Sequence, residues 1–166
     1  MVTVLYFHSP MKTSAPMKMA GITDISVKAK WMLRELDLPV IPEERAKLID
    51  FWRPSGIIVG CSTWRETIGP DDFPGIPTVF LDANPSLLAR DAIAVSHDSK
   101  ATGAEAARVL MTSGRNDFAY VPYPERTHWC AQRQEGFTEA LKLNGASCAV
   151  FEHHFTASRI AAPFHW

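Results

Sequence analysis

Short, continuously apolar runs recur along this chain, and they restrict its fold more than any other feature. They are Val2–His8, Gly56–Cys61 (GIIVGC), Pro77–Asp82 (PTVFLD), Ala92–His97 (AIAVSH), Asp117–Tyr123 (DFAYVPY) and Ala146–Glu152 (ASCAVFE). Each has strand length and lacks the polar alternation of a half-solvated strand, so each is expected to be buried on both faces. Strands of that kind belong to parallel sheets covered by helices on both sides. The fold class expected is therefore α/β, a doubly wound three-layer sandwich on a mainly parallel sheet.

Helices fill the intervals. Glu43–Trp52 follows Pro42, ends before Pro54, and puts Ala46 and Ile49 on one face. Thr102–Ser113 spaces Ala104, Ala107 and Leu110 helically, with Gly114 as its stop. His128–Leu143 carries Ala131, Phe137, Ala140 and Leu141, with Gly145 after it. The stretch Met17–Leu36 allows one long helix. A doubly wound sheet, however, needs a strand between its first two helices, so a helix ending near Lys30 and a strand at Trp31–Leu36 are expected.

With 166 residues, the chain is long enough to bury a real core. Its 17 basic and 18 acidic side chains give a net charge of −1, so no basic excess marks a nucleic-acid surface and no polybasic run marks a membrane surface. No apolar stretch reaches the roughly 18 residues of a transmembrane helix, and MVTVLYFHSP reads as a core strand, not a signal peptide. Cys61, Cys130 and Cys148 form neither a disulfide framework nor a zinc pattern, which suits reduced thiols and a cytoplasmic location. Metal and cofactor are not expected. His153, His154 and His165 are taken as solvated, and no G-x-S-x-G, H-E-x-x-H, G-x-G-x-x-G or G-x-x-x-x-G-K-[ST] motif occurs.

Open parallel sheets bind ligands outside the carboxyl ends of their strands. That rule selects His8 and Ser9, then Cys61 to Trp64, then His97 and Asp98, and finally the loop Pro122–Trp129 with Arg133 one turn beyond. An acid that accepts hydroxyl hydrogen bonds, a guanidinium fork and an indole face together suit a small polyol. Each also has a plainer reading. Asp98 precedes a helix and is a natural cap, Trp129 is a natural core residue, and Arg133 is a natural solvated helix residue.

The string VSHDSKATGAEAARVL, then SGRNDFAYV, then Arg133-x-x-Gly136-Phe137 resembles the effector domain of the lac/gal repressor family. The earlier RPSGIIVGC and GIPTVFLD fit the same pattern. FAYVPY, HWCAQRQEGF and Met19–Asp24 before Trp31 look most like the xylose-responsive regulators. The resemblance covers most of residues 2–151. It implies a periplasmic-binding-protein-like N-terminal lobe at 1–151 and a tail at 152–166 leading toward a second lobe and a DNA-binding module not seen in this sequence. It further implies a carbohydrate ligand such as xylose, homodimerisation, DNA contact only through that other module, and no membrane partner. By resemblance Asp98 and Arg133 are ligand contacts and Trp129 is an aromatic position of the xylose type. Ser9 and Ser62 are added from strand-end position alone. No catalysis is expected. The alternatives are a truncated interaction module that pairs through its helical flank with a full-length copy, and a small enzyme using Cys61 or Cys130 with His97 or His128.

Overall fold

The structure is a computed structural model and describes residues 1–8, 15–39, 41–60, 68–84, 86, 88, 92–123 and 127–151, without the side chains of 15 and 16. Of the expected site residues, Ser9 and Ser62 lie outside the described residues, as do Cys61, Trp64 and the tail 152–166. The described chain divides into two compact units, one ending at His97 and the other starting at Asp98.

The first unit holds β1 (Thr3–His8), α1 (Ala15–Ala29), β2 (Met32–Asp37), α2 (Pro42–Trp52), β3 (Gly56–Gly60), β4 (Thr78–Leu81) and β5 (Ile93–Val95). Its five strands are parallel, in the order β2-β1-β3-β4-β5. The order reverses between β1 and β3, the switch point at which α/β sheets open a crevice. β1 is buried from Thr3 to Phe7, as its uninterrupted apolar run requires. Leu5 and Phe7 join Ile57, Val59, Phe73 and Phe80 in one core, against which Leu48, Ile49 and Trp52 of α2 pack.

The ambiguous stretch resolves as a helix followed by a strand. α1 stops at Ala29, Lys30 turns to a φ of 56°, and Met32 donates to the Val2 carbonyl at 2.8 Å to begin β2. α2 starts with Pro42 in its first turn. It ends on Arg53 at a φ of 42°, whose N–H returns to the Ile49 carbonyl at 2.8 Å. A short 3-10 turn at Pro70–Asp72 adds to the expected elements. It is held by Arg45, a nearly fully buried side chain of α2 that donates to Asp72 Oδ1 at 2.5 Å and to the Pro39 carbonyl at 2.8 Å.

The second unit holds α3 (Ser99–Met111), β6 (Asp117–Tyr120), α4 (His128–Leu143) and β7 (Ser147–Val150). β6 and β7 form their own parallel pair, so two sheets are described in place of the single sheet expected. This unit also has its own core, in which Ala107, Phe137 and Leu141 pack with Phe118 and Tyr120. α3 begins three residues before the expected Thr102, because Asp98 caps it there.

Two glycines set the packing of α3 on α4. A Cβ built on Gly103 would stand 2.1 Å from the Arg133 carbonyl oxygen, and one on Gly136 would stand 2.0 Å from that of Lys100. Each helix therefore rests its backbone against the other at a residue with no side chain. The first turn of α3 is thereby fixed beside the turn of α4 that carries Arg133. Among the described residues no helix is long and apolar enough to cross a membrane.

Candidate functional site

In the second unit the candidate residues sit at the start of the two helices. Asp98 is the N-cap of α3: its Oδ1 accepts the Ala101 N–H at 2.8 Å, and its carbonyl accepts from Thr102 Oγ1 at 2.8 Å. The capping role foreseen for Asp98 is thus present, and it occupies one carboxylate oxygen of an exposed residue. Thr127 caps α4 through Oγ1, which accepts the Cys130 N–H at 3.4 Å.

Trp129 and Arg133 are four residues apart on α4 and therefore share a face. The Arg133 guanidinium lies over the indole, 4.8 Å from its centroid, inside the range of a cation–π contact. Tyr123, in the loop after β6, stands 6.3 Å from the same ring at an interplanar angle of 34°. The ring quadrupole draws the guanidinium onto the face of the indole. The two aromatic rings add apolar surface of the kind that meets the C–H face of a sugar ring. Behind them burial pushes the Tyr120 hydroxyl above its ordinary range. The neighbouring Cys130 adds to that rise and the Arg133 charge opposes it.

A cleft of about 410 Å³ lies on another flank of α4, lined by Tyr123, Cys130, Gln134, Thr138, Val150 and Phe151 among others. Neither Trp129 nor Arg133 lines it, so Tyr123 is the residue the cleft shares with the stacked pair. Cys130 is buried. Burial raises the pKa of the Cys148 thiol, against an opposing backbone hydrogen bond at Tyr120.

In the first unit a second polar group gathers at the carboxyl ends of the strands. His8 closes β1, and its Nε2 lies 3.2 Å from Asp37 and 3.9 Å from Glu35 of β2. Asp82 follows β4 and takes Lys18 of α1 on Oδ2 and His97 Nδ1 on Oδ1, the latter at 3.3 Å. Tyr6 lies beneath, its ring 6.3 Å from that of His8. Burial is the main cause that raises its hydroxyl pKa, with the charges of Glu35 and Asp82 adding to it. Gly60 leaves room for this ring, since a Cβ there would stand 3.3 Å from the Tyr6 hydroxyl. The strand-end rule had selected His8 and His97 but not Lys18, Asp82 or Tyr6. Applied to Pro77–Asp82 as well, the same rule would have picked out Asp82. Lys18 is brought in only by the tertiary fold.

No family model matches the sequence, and no curated protein matches it. Solved structures do. A periplasmic binding protein/LacI transcriptional regulator from Alkaliphilus metalliredigens, complexed with D-xylulofuranose, aligns over 99% of this chain at 19% identity and a TM-score of 0.68. The trehalose repressor of Escherichia coli aligns over 90% at 11% identity and a TM-score of 0.73. The dimeric lac repressor aligns over 90% at 14% identity and a TM-score of 0.66. The chain spans 62%, 59% and 56% of the lengths of these three proteins. At such identities the likeness is one of architecture: this chain has the α/β fold of the periplasmic-binding-protein-like domains found in LacI-type transcriptional regulators.

Proposed function

We propose that this chain is the sugar-sensing part of a cytoplasmic transcriptional regulator, binding a small carbohydrate without catalysis. The observation that carries this reading is the Arg133 guanidinium stacked 4.8 Å from the Trp129 indole beside Tyr123. Asp98 caps the adjacent helix, whose first turn the two glycines hold against Arg133. In this reading Arg133 and the second oxygen of Asp98 hydrogen-bond hydroxyls, and Trp129 takes the C–H face of the ring. Xylose is the ligand favoured by the resemblance, and the D-xylulofuranose of the Alkaliphilus structure points to the same pentose class. DNA contact belongs to a separate module of the regulator, and two copies pair. Exposed Met17, Ile25 and Val27 on α1, together with the dimeric state of the lac repressor, support that pairing.

The test is a titration of the purified chain with xylose, xylulose and a hexose panel, followed by tryptophan fluorescence and by calorimetry. A saturable, sugar-selective response that Arg133→Ala abolishes is expected. No response to any sugar by either method would overturn the reading.

A further inference from the structure

The cleft of the second unit lies outside the sugar-sensing reading. It forms where the carboxyl ends of β6 and β7 meet one flank of α4. Its volume of about 410 Å³ falls within the range of roughly 300–1,000 Å³ typical of small-molecule pockets. Cys130, Gln134 and Thr138 line it at a four-residue spacing, one stripe of α4. Tyr123, just past β6, and Phe151, just past β7, line it with aromatic rings and are about half exposed. Among the described lining residues Glu135 alone is charged, and its carboxylate takes Lys100 Nζ at 2.7 Å. The lining is thus neutral in effect. The polar groups differ in what they have left to offer. Thr138 Oγ1 donates to the Gln134 carbonyl at 2.9 Å and to the Glu135 carbonyl at 3.2 Å, so its O–H serves the helix. The half-buried Gln134 is different, because its side-chain amide makes no hydrogen bond among the described residues. That carboxamide keeps both a donor and an acceptor for a ligand.

We propose that this cleft is a binding site for a small neutral molecule that joins an aromatic ring to a carboxamide. Gln134 pairs with the ligand's amide by two hydrogen bonds. Its N–H donates to the ligand carbonyl, and its oxygen accepts from the ligand N–H. The ligand ring packs with Tyr123 and Phe151, where aromatic pairs gain beyond their buried area. Buried Cys130 adds soft, polarisable surface. A neutral ligand suits a lining whose one carboxylate is already paired, since a charged one would be desolvated without a counter-charge. Neither Trp129 nor Arg133 lines the cleft, so occupancy here does not depend on which sugar the stacked pair takes.

The experiment is a titration of the full chain with benzamide, followed in ¹H–¹⁵N spectra, with methyl benzoate and acetamide as partial probes. Benzamide is expected to shift the Gln134 side-chain NH₂ signals and the backbone amides of Tyr123, Thr138 and Phe151 along one saturable curve, at about millimolar concentration. Methyl benzoate lacks the N–H and acetamide lacks the ring, so each should bind at least about fivefold more weakly. Gln134→Leu should weaken benzamide about tenfold by removing both hydrogen bonds. Gln134→Glu keeps the acceptors and gains a charge, so it should prefer benzamidine, whose two donors match a carboxylate, where the parent prefers benzamide. No saturable shift with benzamide, shifts that spare the Gln134 side chain, or equal binding of the three probes would overturn the site. Unchanged benzamide affinity in Gln134→Leu, or the parent's preference retained in Gln134→Glu, would overturn the pairing with Gln134. If neither variant folds, the three probes on the parent decide alone, by the same outcomes.

Discussion

At Asp98 one carboxylate has two possible duties, and they can be separated. Its Oδ1 is engaged by the Ala101 N–H, so the residue caps α3 whether or not a ligand is bound. Asn caps nearly as well as Asp, whereas Ala loses about 1 kcal/mol. Asp98→Asn is therefore expected to leave the denaturation midpoint within about 0.5 kcal/mol of the parent. If the second oxygen meets a sugar hydroxyl, Asp98→Asn should still weaken sugar binding by about tenfold, since a charged hydrogen bond contributes roughly 1.5–3 kcal/mol. Full affinity in Asp98→Asn would leave Asp98 as a cap and nothing more. The thiol of Cys148 gives a second test at this scale. Burial raises the Cys148 pKa, so less of it is thiolate at pH 7 than of free cysteine. Alkylation of Cys148, followed by peptide mass spectrometry, is expected to run slower than that of free cysteine and to accelerate as pH rises. A rate above that of free thiol at pH 7 would contradict the shielding of Cys148 by burial.

Among the elements, the α3–α4 crossing is the feature most exposed to a single methyl group. The Cβ positions at Gly103 and Gly136 fall 2.1 and 2.0 Å from carbonyl oxygens of the facing helix, and backbone cannot step aside as a flexible side chain can. Gly103→Ala and Gly136→Ala are each expected to destabilise the protein by about 1–3 kcal/mol or more, although alanine is the better helix former. Chemical denaturation reads the loss. The double variant should cost less than the sum, because the first methyl already forces the helices apart. A stability gain in either single variant would contradict the close crossing. Both glycines were visible in the sequence as parts of a resemblance, but their reason was not, since a glycine inside a helix does not show which backbone it meets. β1 was legible for a plain cause, since two-sided burial leaves an uninterrupted apolar run, as Val4 to Phe7 show; β5 and β7 carry the same kind of run, yet Ile93, Val95 and Val150 are exposed, so the burial expected of those two strands does not hold. α3 starts three residues before the expected Thr102, at the point where the Asp98 carboxylate caps it. Arg45 and Lys18 were not legible at all. Each is a charge on a helix, and only the tertiary fold brings Asp72 to one and Asp82 to the other.

For the molecule as a whole, a sensor that pairs with its own copy and a lobe that acts alone differ in what they require of α1. α1 carries the relevant evidence. Met17 is 85% exposed, Ile25 52% and Val27 71%, whereas a helix in a finished monomer turns such residues inward. Ile25 and Val27 flank the exposed Asp24–Lys28 ion pair at 2.6 Å, a solvated i,i+4 contact that adds little stability. An isologous pair would bury each copy's α1 against the other, so one substitution acts twice at the interface. Val27→Glu therefore places two charges in a desolvated patch without touching either core. Sedimentation is expected to show the parent as a dimer at micromolar concentration and Val27→Glu as a monomer with an unchanged denaturation midpoint at matched low concentration. A parent that sediments as a monomer would remove the pairing. The apolar residues of α1 would then be individually exposed side chains, and the sensing function would have to operate within one copy.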